Sequence, residues 1–144
     1  MANYKAFVRD SIDTASGIYT TFLPVYLDEV NFKMRNQDYP LLVIPPFIHN
    51  RAVREQKANN VWSVTGYSIV TTTYGRANLD YTERVDSWNT AQDLADSFIN
   101  AFNTDYFTAT ELNNVEFEPI DLGVLVDNVL GMRFTFNLIS HCEI

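Results

Sequence analysis

The sequence predicts an α+β fold in which an antiparallel or mixed sheet of about four to five strands carries two amphipathic helices on one face. Three observations lead to this prediction. Two segments repeat apolar residues at helical spacing, several shorter segments alternate apolar and polar residues as strands do, and short turns link several of these strands. The 144 residues suit a single domain spanning 1–144, without internal repeats or low-complexity tracts.

The first helix is predicted over residues 4–22, because apolar residues recur there every three or four positions and fill an arc of roughly 140°. Its apolar stripe consists of Tyr4, Phe7, Val8, Ile12, Ala15, Ile18, Tyr19 and Phe22. Asn3 is a suitable N-cap, and Pro24 is a stop signal. Gly17 falls on the polar face, where it weakens the helix without removing a core side chain.

Three strands are predicted to follow the first helix. Residues 25–34 end in the alternation of a half-buried strand, and residues 39–44 form a continuous apolar run ended by two prolines. Residues 61–74 are rich in β-branched and aromatic side chains, which predicts one long strand, bent at Gly66. The polar residues 47–60 are predicted to form a long connecting loop that is either functional or mobile.

The second helix is predicted over residues 83–102, with either Asp80 or Thr82 as its N-cap. Its apolar stripe consists of Val85, Trp88, Ala91, Ala95, Phe98, Ile99 and Phe102. Two strands then close the chain. Residues 115–119 alternate and carry a proline near their end, as edge strands do, and residues 130–140 alternate most regularly of all.

The charge balance argues against a nucleic-acid-binding module, which usually carries an excess of positive charge. Ten Lys and Arg residues stand against 18 Asp and Glu residues, so the net charge is −8. Residues 1–72 have a net charge of +1 and residues 73–144 a net charge of −9. The predicted 47–60 loop is basic, and a basic loop on an acidic body favours head-to-tail association between copies. The alternative is a solvated loop without a partner.

Few residues offer catalytic or metal-binding chemistry. The only cysteine, Cys142, excludes an internal disulfide and a multi-cysteine zinc site, and two histidines leave little for a metal centre. Glu116 and Glu118 share one strand face, and His49 follows two prolines, but no nucleophile motif accompanies them. The sequence therefore predicts neither an enzyme nor a protein with a cofactor or metal.

The order of elements along almost the whole chain resembles that of the tail terminator and tail-completion proteins of long-tailed bacteriophages. The resemblance lies in the opening helix 4–22, the extended segment 39–46, and the long strand 61–74 that leads directly into helix 83–102. The closing strand 127–138 and the richness in Asn and Thr also fit. The resemblance is one of element order and size, so it assigns no functional residue position by position.

The resemblance implies a structural virion protein in the tail and neck, made in the host cytoplasm and without a membrane segment. It would form a ring, typically a hexamer with a dodecamer as the alternative, that ends the tail tube and joins it to the neck and portal proteins. DNA would pass through the ring without specific binding. Expected interface residues are Arg51, Arg54, Lys57 and His49. Expected channel-facing residues, which would repel phosphate, are Asp86, Asp93, Asp96, Glu116 and Glu118.

Three other interpretations compete with the tail terminator. The nearest is another neck or head-completion ring protein of the same particle, which nothing in the sequence distinguishes from a terminator. The second is a cytosolic α+β domain that binds a small apolar ligand between its aromatic strands. The third is a hydrolase that uses Glu116, Glu118 or His49.

Overall fold

The computed structural model describes residues 4–26, 38–54, 57–72, 80–106, 110–120 and 129–143, and it has an α+β architecture. The helices are α1 (Tyr4–Ser16) and α2 (Tyr81–Tyr106). The strands are β1 (Thr21–Leu23), β2 (Leu41–Val43), β3 (Ile48–Arg54), β4 (Lys57–Thr72), β5 (Thr110–Ile120) and β6 (Val129–Glu143). The predicted fold class is confirmed, and the described residues form six strands where four to five were expected.

The sheet is mixed and is organised around β4. Its strand order is β1-β2-β4-β6-β5, and β3 pairs with β4 outside this path. β6 runs antiparallel to β4 along nearly its whole length, so β2 and β3 share the other edge of β4 in succession. β1 lies parallel to β2, and the remaining pairs are antiparallel. The two longest strands therefore form the centre of the sheet.

The main core lies between this central pair and the two helices. Side chains alternate across a strand, so one set from β4 and β6 faces the helices. That set includes Trp62, Val64, Phe134, Phe136 and Leu138, all buried. It packs with Tyr19, Ala95, Phe98 and Ile99 from the helical side. Both helices thus cover one face of the sheet, as the single apolar stripe of each predicts.

Small side chains lie on the buried surfaces of the two helices. Ser11 and Ala15 on α1, and Ala91 and Ala95 on α2, are at most 1% exposed, and the two helices pack together. Small residues at a helix contact shorten the distance between the axes. Trp88 holds α2 to the end of β5, because its indole N–H donates to the carbonyl of Ile120 over 3.0 Å.

A buried hydroxyl pair links the helices to the sheet. The Tyr19 hydroxyl donates to Ser68 Oγ over 2.8 Å, and the Ser68 hydroxyl donates to the carbonyl of Ala91 over 2.9 Å. Ser68 is fully buried and Tyr19 is 5% exposed, so both hydroxyls depend on these partners. Burial raises the pKa of Tyr19 above its ordinary value of 10.0, because the phenolate would lose its water.

Replacement of Tyr19 by Phe is expected to lower the free energy of unfolding by about 1 kcal/mol at neutral pH. The loss should shrink as the pH rises above about 10, because wild-type Tyr19 then ionises in the unfolded chain but stays protonated in the folded one. Urea unfolding of both proteins at about pH 8 and about pH 11 measures this. Tyr81→Phe is the control, since Tyr81 is 77% exposed. A Tyr19→Phe effect that does not vary with pH would contradict the prediction.

The prediction that the first helix extends to residue 22 is wrong. The helix ends at Ser16, and the backbone N–H groups of Ile18 and Tyr19 both donate to the carbonyl of Ala15. Thr21–Leu23 then pairs with β2. In this strand Phe22 packs against the main core and Leu23 packs against a second apolar cluster. Neighbouring residues of a strand point to opposite faces, so a strand can place both side chains in apolar surroundings.

The described residues 48–54 and 57–60 do not form the predicted loop. They make up most of the β3–β4 hairpin, in which Arg54 pairs with Lys57 and Ile48 pairs with Ser63, whereas residues 55 and 56 lie outside the described part of the chain. β3 is an edge strand that is held by backbone hydrogen bonds to β4. Polar side chains are tolerated there, because such a strand does not have to bury both of its faces. The predicted strand at 25–34 lies largely outside the described residues, and its described part, residues 25–26, is not a strand.

The long strand bends at a different position from the one predicted. The register of β4 against β6 shifts between Ile69 and Thr71, whereas Gly66 lies in regular pairing opposite Phe134. A β-bulge of this kind increases the local twist of the strand. Near the bulge the second face of the sheet is apolar, and this second cluster contains Leu41, Val43, Ile69, Ile120 and Val129.

The elements in the second half of the chain are longer than predicted. Helix α2 begins at Tyr81, and the N–H of Glu83 donates to Asp80 Oδ1 over 2.8 Å, which identifies Asp80 as the N-cap. The strand predicted at 115–119 extends over Thr110–Ile120, and the one predicted at 130–140 over Val129–Glu143. Strand pairing accounts for the added length. The β5–β6 pairing continues beyond residues 115–119, and the β4–β6 pairing continues beyond residues 130–140.

Candidate functional site

The face of the sheet opposite the helices is apolar near the β4 bulge and polar around the pairs of Ser63 with Asn137 and Thr65 with Thr135. Its central residues are Ser63, Thr65, Arg133, Thr135, Asn137 and Glu116. They are half-buried or exposed, and several of them line a shallow depression. Hydroxyl, amide and charged groups in this arrangement present a hydrated surface. We call this surface the open face.

Glu116 and Glu118 lie on the open face, as their two-residue spacing predicts. Glu116 pairs with Thr135 and Glu118 pairs with Arg133, and both glutamates are exposed. A bulge precedes them at Asn114, whose φ of 54° is left-handed. Arg133 Nη1 lies 3.3 Å from Glu118 Oε2, with the two side chains 40% and 69% exposed. An ion pair this exposed contributes little to stability.

Arg133 is a member of this surface that the sequence reasoning missed. The alternation of residues 130–140 places it opposite the apolar stripe of β6, but only the register with β5 brings it to Glu118. Their separation of 15 residues in the chain gives no local signal. The open face therefore combines carboxylates with a cation and with neutral hydroxyl and amide groups.

The other predicted channel-facing residues, Asp86, Asp93 and Asp96, lie on α2, where Glu83 joins them. All four are exposed, and at 100° per residue they fall within an arc of about 140°. At 1.5 Å per residue they extend along about 20 Å of the helix. Arg84 projects in nearly the opposite direction to Asp86. We call these four residues the carboxylate stripe.

The structure separates the predicted channel-facing residues into two groups. Helix α2 covers the sheet face that carries Phe134 and Phe136, and the carboxylate stripe points away from that core. Glu116 and Glu118 pair with Thr135 and Arg133, which lie on the opposite side of the sheet. The two acidic surfaces therefore face away from each other, and one flat channel wall cannot include both.

The predicted interface residues Arg51, Arg54 and Lys57 occupy the β3–β4 hairpin. Arg51 pairs with Asn60 and Arg54 with Lys57, so these positions lie in its distal half. Their side chains lie outside the described part of the structure. Strand β3 packs with β4, and neither helix packs substantially against it in the described part of the chain. We call β3 and its paired segment of β4 the hairpin arm.

His49 lies at the base of the hairpin arm. Its ring stacks on that of Trp62, with centroids 3.9 Å apart and planes 4° from parallel. His49 is exposed, whereas Trp62 is 1% exposed, so the imidazole covers one face of a core indole. His49 was predicted to lie in a loop, but it is in a strand and has a packing role. Its part in an interface stays a prediction.

The described residues include neither a metal-binding cluster nor a membrane-spanning helix. Within them, no group of three or more His, Cys, Asp or Glu side chains is placed to hold a metal ion. None of the helices in these parts of the chain is both long and apolar enough to cross a bilayer. The side chains of His141 and Cys142 lie outside these parts.

Comparison with known proteins gives no match between this sequence and a protein-family model, and no significant match to a curated protein. The interaction surfaces described above are therefore the basis for a functional proposal.

Proposed function

We propose that this protein is a structural ring protein of a long-tailed bacteriophage, located where the tail tube meets the neck. It would end the growth of the tube, join it to the neck and portal proteins, and let DNA pass through its centre. The work is done by interfaces, and the proposal includes no catalysis. A neck or head-completion ring protein of the same particle is the nearest variant.

The observation that carries the proposal is the contrast in charge between the hairpin arm and the rest of the chain. Residues 47–60 carry a net charge of +2, so the remaining residues carry −10. In the arm, β3 pairs with β4, and neither helix packs substantially against β3 within the described residues. A basic strand pair on an acidic body favours a contact between unlike surfaces of two copies, and such a heterologous contact gives a closed ring when its rotation closes.

The division of the acidic residues limits how such a ring can be built. A channel for DNA works best with a surface that repels phosphate, because a basic surface binds it. The carboxylate stripe and the open face lie on opposite sides of the sheet, so only one of them can line the channel. The other remains available for contacts with neighbouring proteins.

The proposal is tested by measuring the mass of the purified protein in solution and imaging the same sample by negative-stain electron microscopy. The expected result is closed rings with a central opening, in solution or after addition of tail tubes. Isolated two-fold dimers, or tubes whose ends never acquire the protein, would contradict the function.

Reversal of the arm charges is expected to weaken self-association by about tenfold or more, because attraction between unlike surfaces becomes repulsion. The arm-reversed variant carries Arg51→Glu, Arg54→Glu and Lys57→Glu. Sedimentation velocity at low and high salt measures the effect, and salt should weaken wild-type assembly as well. Circular dichroism checks that the variant folds. Unchanged assembly of a folded variant would remove the arm from the interface.

A further inference from the structure

We infer that the carboxylate stripe on α2 of one copy binds the hairpin arm of a second copy, and that this contact joins subunits head to tail. The inference rests on the ring-forming function proposed above and names the surface that receives each arm. It leaves the open face, with Glu116 and Glu118, as the acidic surface available to the channel.

The stripe is a continuous acidic surface. Between Glu83 and Asp96, the other exposed residues in the arc of the stripe, including Asn89 and Thr90, carry no charge, so no cation interrupts it. Exposed carboxylates alone indicate only that a helix faces water. The second observation is a basic element of the same chain, Lys57 and its neighbours in the arm, that lies outside the helical layer.

The spacing of the charged positions on the two elements matches. In the arm, Arg54 and Lys57 are directly opposed on one face, about 5 Å apart, whereas Arg51, three residues along the strand, is on the other face. On the helix, Asp93 and Asp96 are neighbours one turn apart, also about 5 Å. Asp86 lies seven residues from Asp93, or about 10.5 Å. The Arg54–Lys57 pair can therefore face Asp93 and Asp96 together without a change in either element, and Asp86 extends the acidic surface beyond them.

The occupant of the stripe is a second copy because the charges of this one chain complement each other. Several charge pairs side by side bind more firmly than single surface pairs, and they also fix the register of the contact. Each copy offers one arm and one stripe, so each can bind two neighbours. A chain of such contacts closes into a ring or grows as an open filament, depending on the rotation between copies.

A charge-swap experiment tests the inference. The stripe-reversed variant carries Asp86→Lys, Asp93→Lys and Asp96→Lys. By itself it should associate about tenfold or more weakly than wild type, as the arm-reversed variant should. A 1:1 mixture of the two variants should regain association, because each acidic arm then meets a basic stripe and each basic arm an acidic stripe. Sedimentation velocity at low salt measures all three samples.

The control reverses carboxylates on the other side of the sheet. A variant with Glu116→Lys and Glu118→Lys should self-associate as wild type does, because these residues lie on the open face. Recovery in the mixture, together with a neutral control, supports the inference. A wild-type protein that does not self-associate at low salt, a stripe-reversed variant that assembles normally, or a mixture that fails to recover overturns it.

The possible failures can be distinguished. Closed rings that are insensitive to both reversals would overturn the stripe as the arm's binding surface and leave the ring function intact. Charge-swap recovery that yields only open filaments or dimers would support the arm–stripe contact and count against the ring.

Discussion

Replacement of Gly131 by Ala is expected to lower the free energy of unfolding by about 3 kcal/mol or more. Gly131 is fully within the sheet, paired with Ile69 on one side and Ile120 on the other. A Cβ atom at this position would lie 2.9 Å from Ile69 Cα and closer still to the Ser68 carbonyl oxygen. Both are backbone atoms of the central strand, so relief requires β4 and β6 to separate.

Chemical denaturation of the variant measures this loss, and a midpoint shift without a change in slope would show that stability fell without a change in the surface exposed on unfolding. Gly17→Ala is the matched control. A Cβ atom at Gly17 would be 3.9 Å from the Thr14 carbonyl oxygen, an ordinary contact. This control is expected to be neutral or stabilising by about 0.5 kcal/mol, because alanine restricts the unfolded chain. Equal effects of the two substitutions would refute the packing argument.

Replacement of Gly66 by Ala is expected to cost about 2 kcal/mol for a different reason. Gly66 lies opposite Phe134, and a Cβ atom there would be 2.7 Å from Phe134 Cε1 and 2.8 Å from Cε2. The phenyl ring is fully buried and packs beside the rings of Phe98 and Phe136, at centroid distances of 6.2 and 6.1 Å. Because protein interiors are close-packed, the ring and its neighbours must shift to admit the methyl group.

A double-mutant cycle with Phe134→Leu tests this cause. Phe134→Leu alone should destabilise, because the smaller side chain leaves a cavity under α2. In the double variant the alanine methyl group should occupy part of that cavity, so the combined loss should fall below the sum of the single losses by about 1 kcal/mol. Additive losses would show that the cost of Gly66→Ala comes from the backbone at residue 66 and not from a clash with the Phe134 ring.

The regular elements could be predicted from local patterns. The stripe that includes Ala91, Ala95 and Phe98 predicted α2, and the alternation around Phe134 and Phe136 predicted β6. These five residues are buried, whereas Val85 of the α2 stripe is 38% exposed. Asp80 was one of two predicted caps, and it caps α2 in the structure. These predictions succeed because a helix or strand that buries one face needs apolar residues at regular intervals along its own segment.

Strand pairing was harder to predict. Thr21–Leu23 continues the apolar spacing of a helix, yet three residues form a strand because β2 supplies their backbone partners. The hairpin arm lacks a Gly or Asn turn signal at positions 55 and 56, and its polar composition suggested a loop. Hydrogen bonds to a neighbouring strand compensate for weak local preference, and the sequence of a single segment does not contain that information.

By itself, the sequence determined the α+β class, the two amphipathic helices, and the contrast between a basic hairpin region and an acidic body. The tertiary structure alone decided which charges lie together. It placed Arg133 beside Glu118, and it put the carboxylate stripe and Glu116 on opposite sides of the sheet. The physical reason is that periodicity reports which face of an element is buried, whereas strand register and helix packing decide which exposed faces become neighbours.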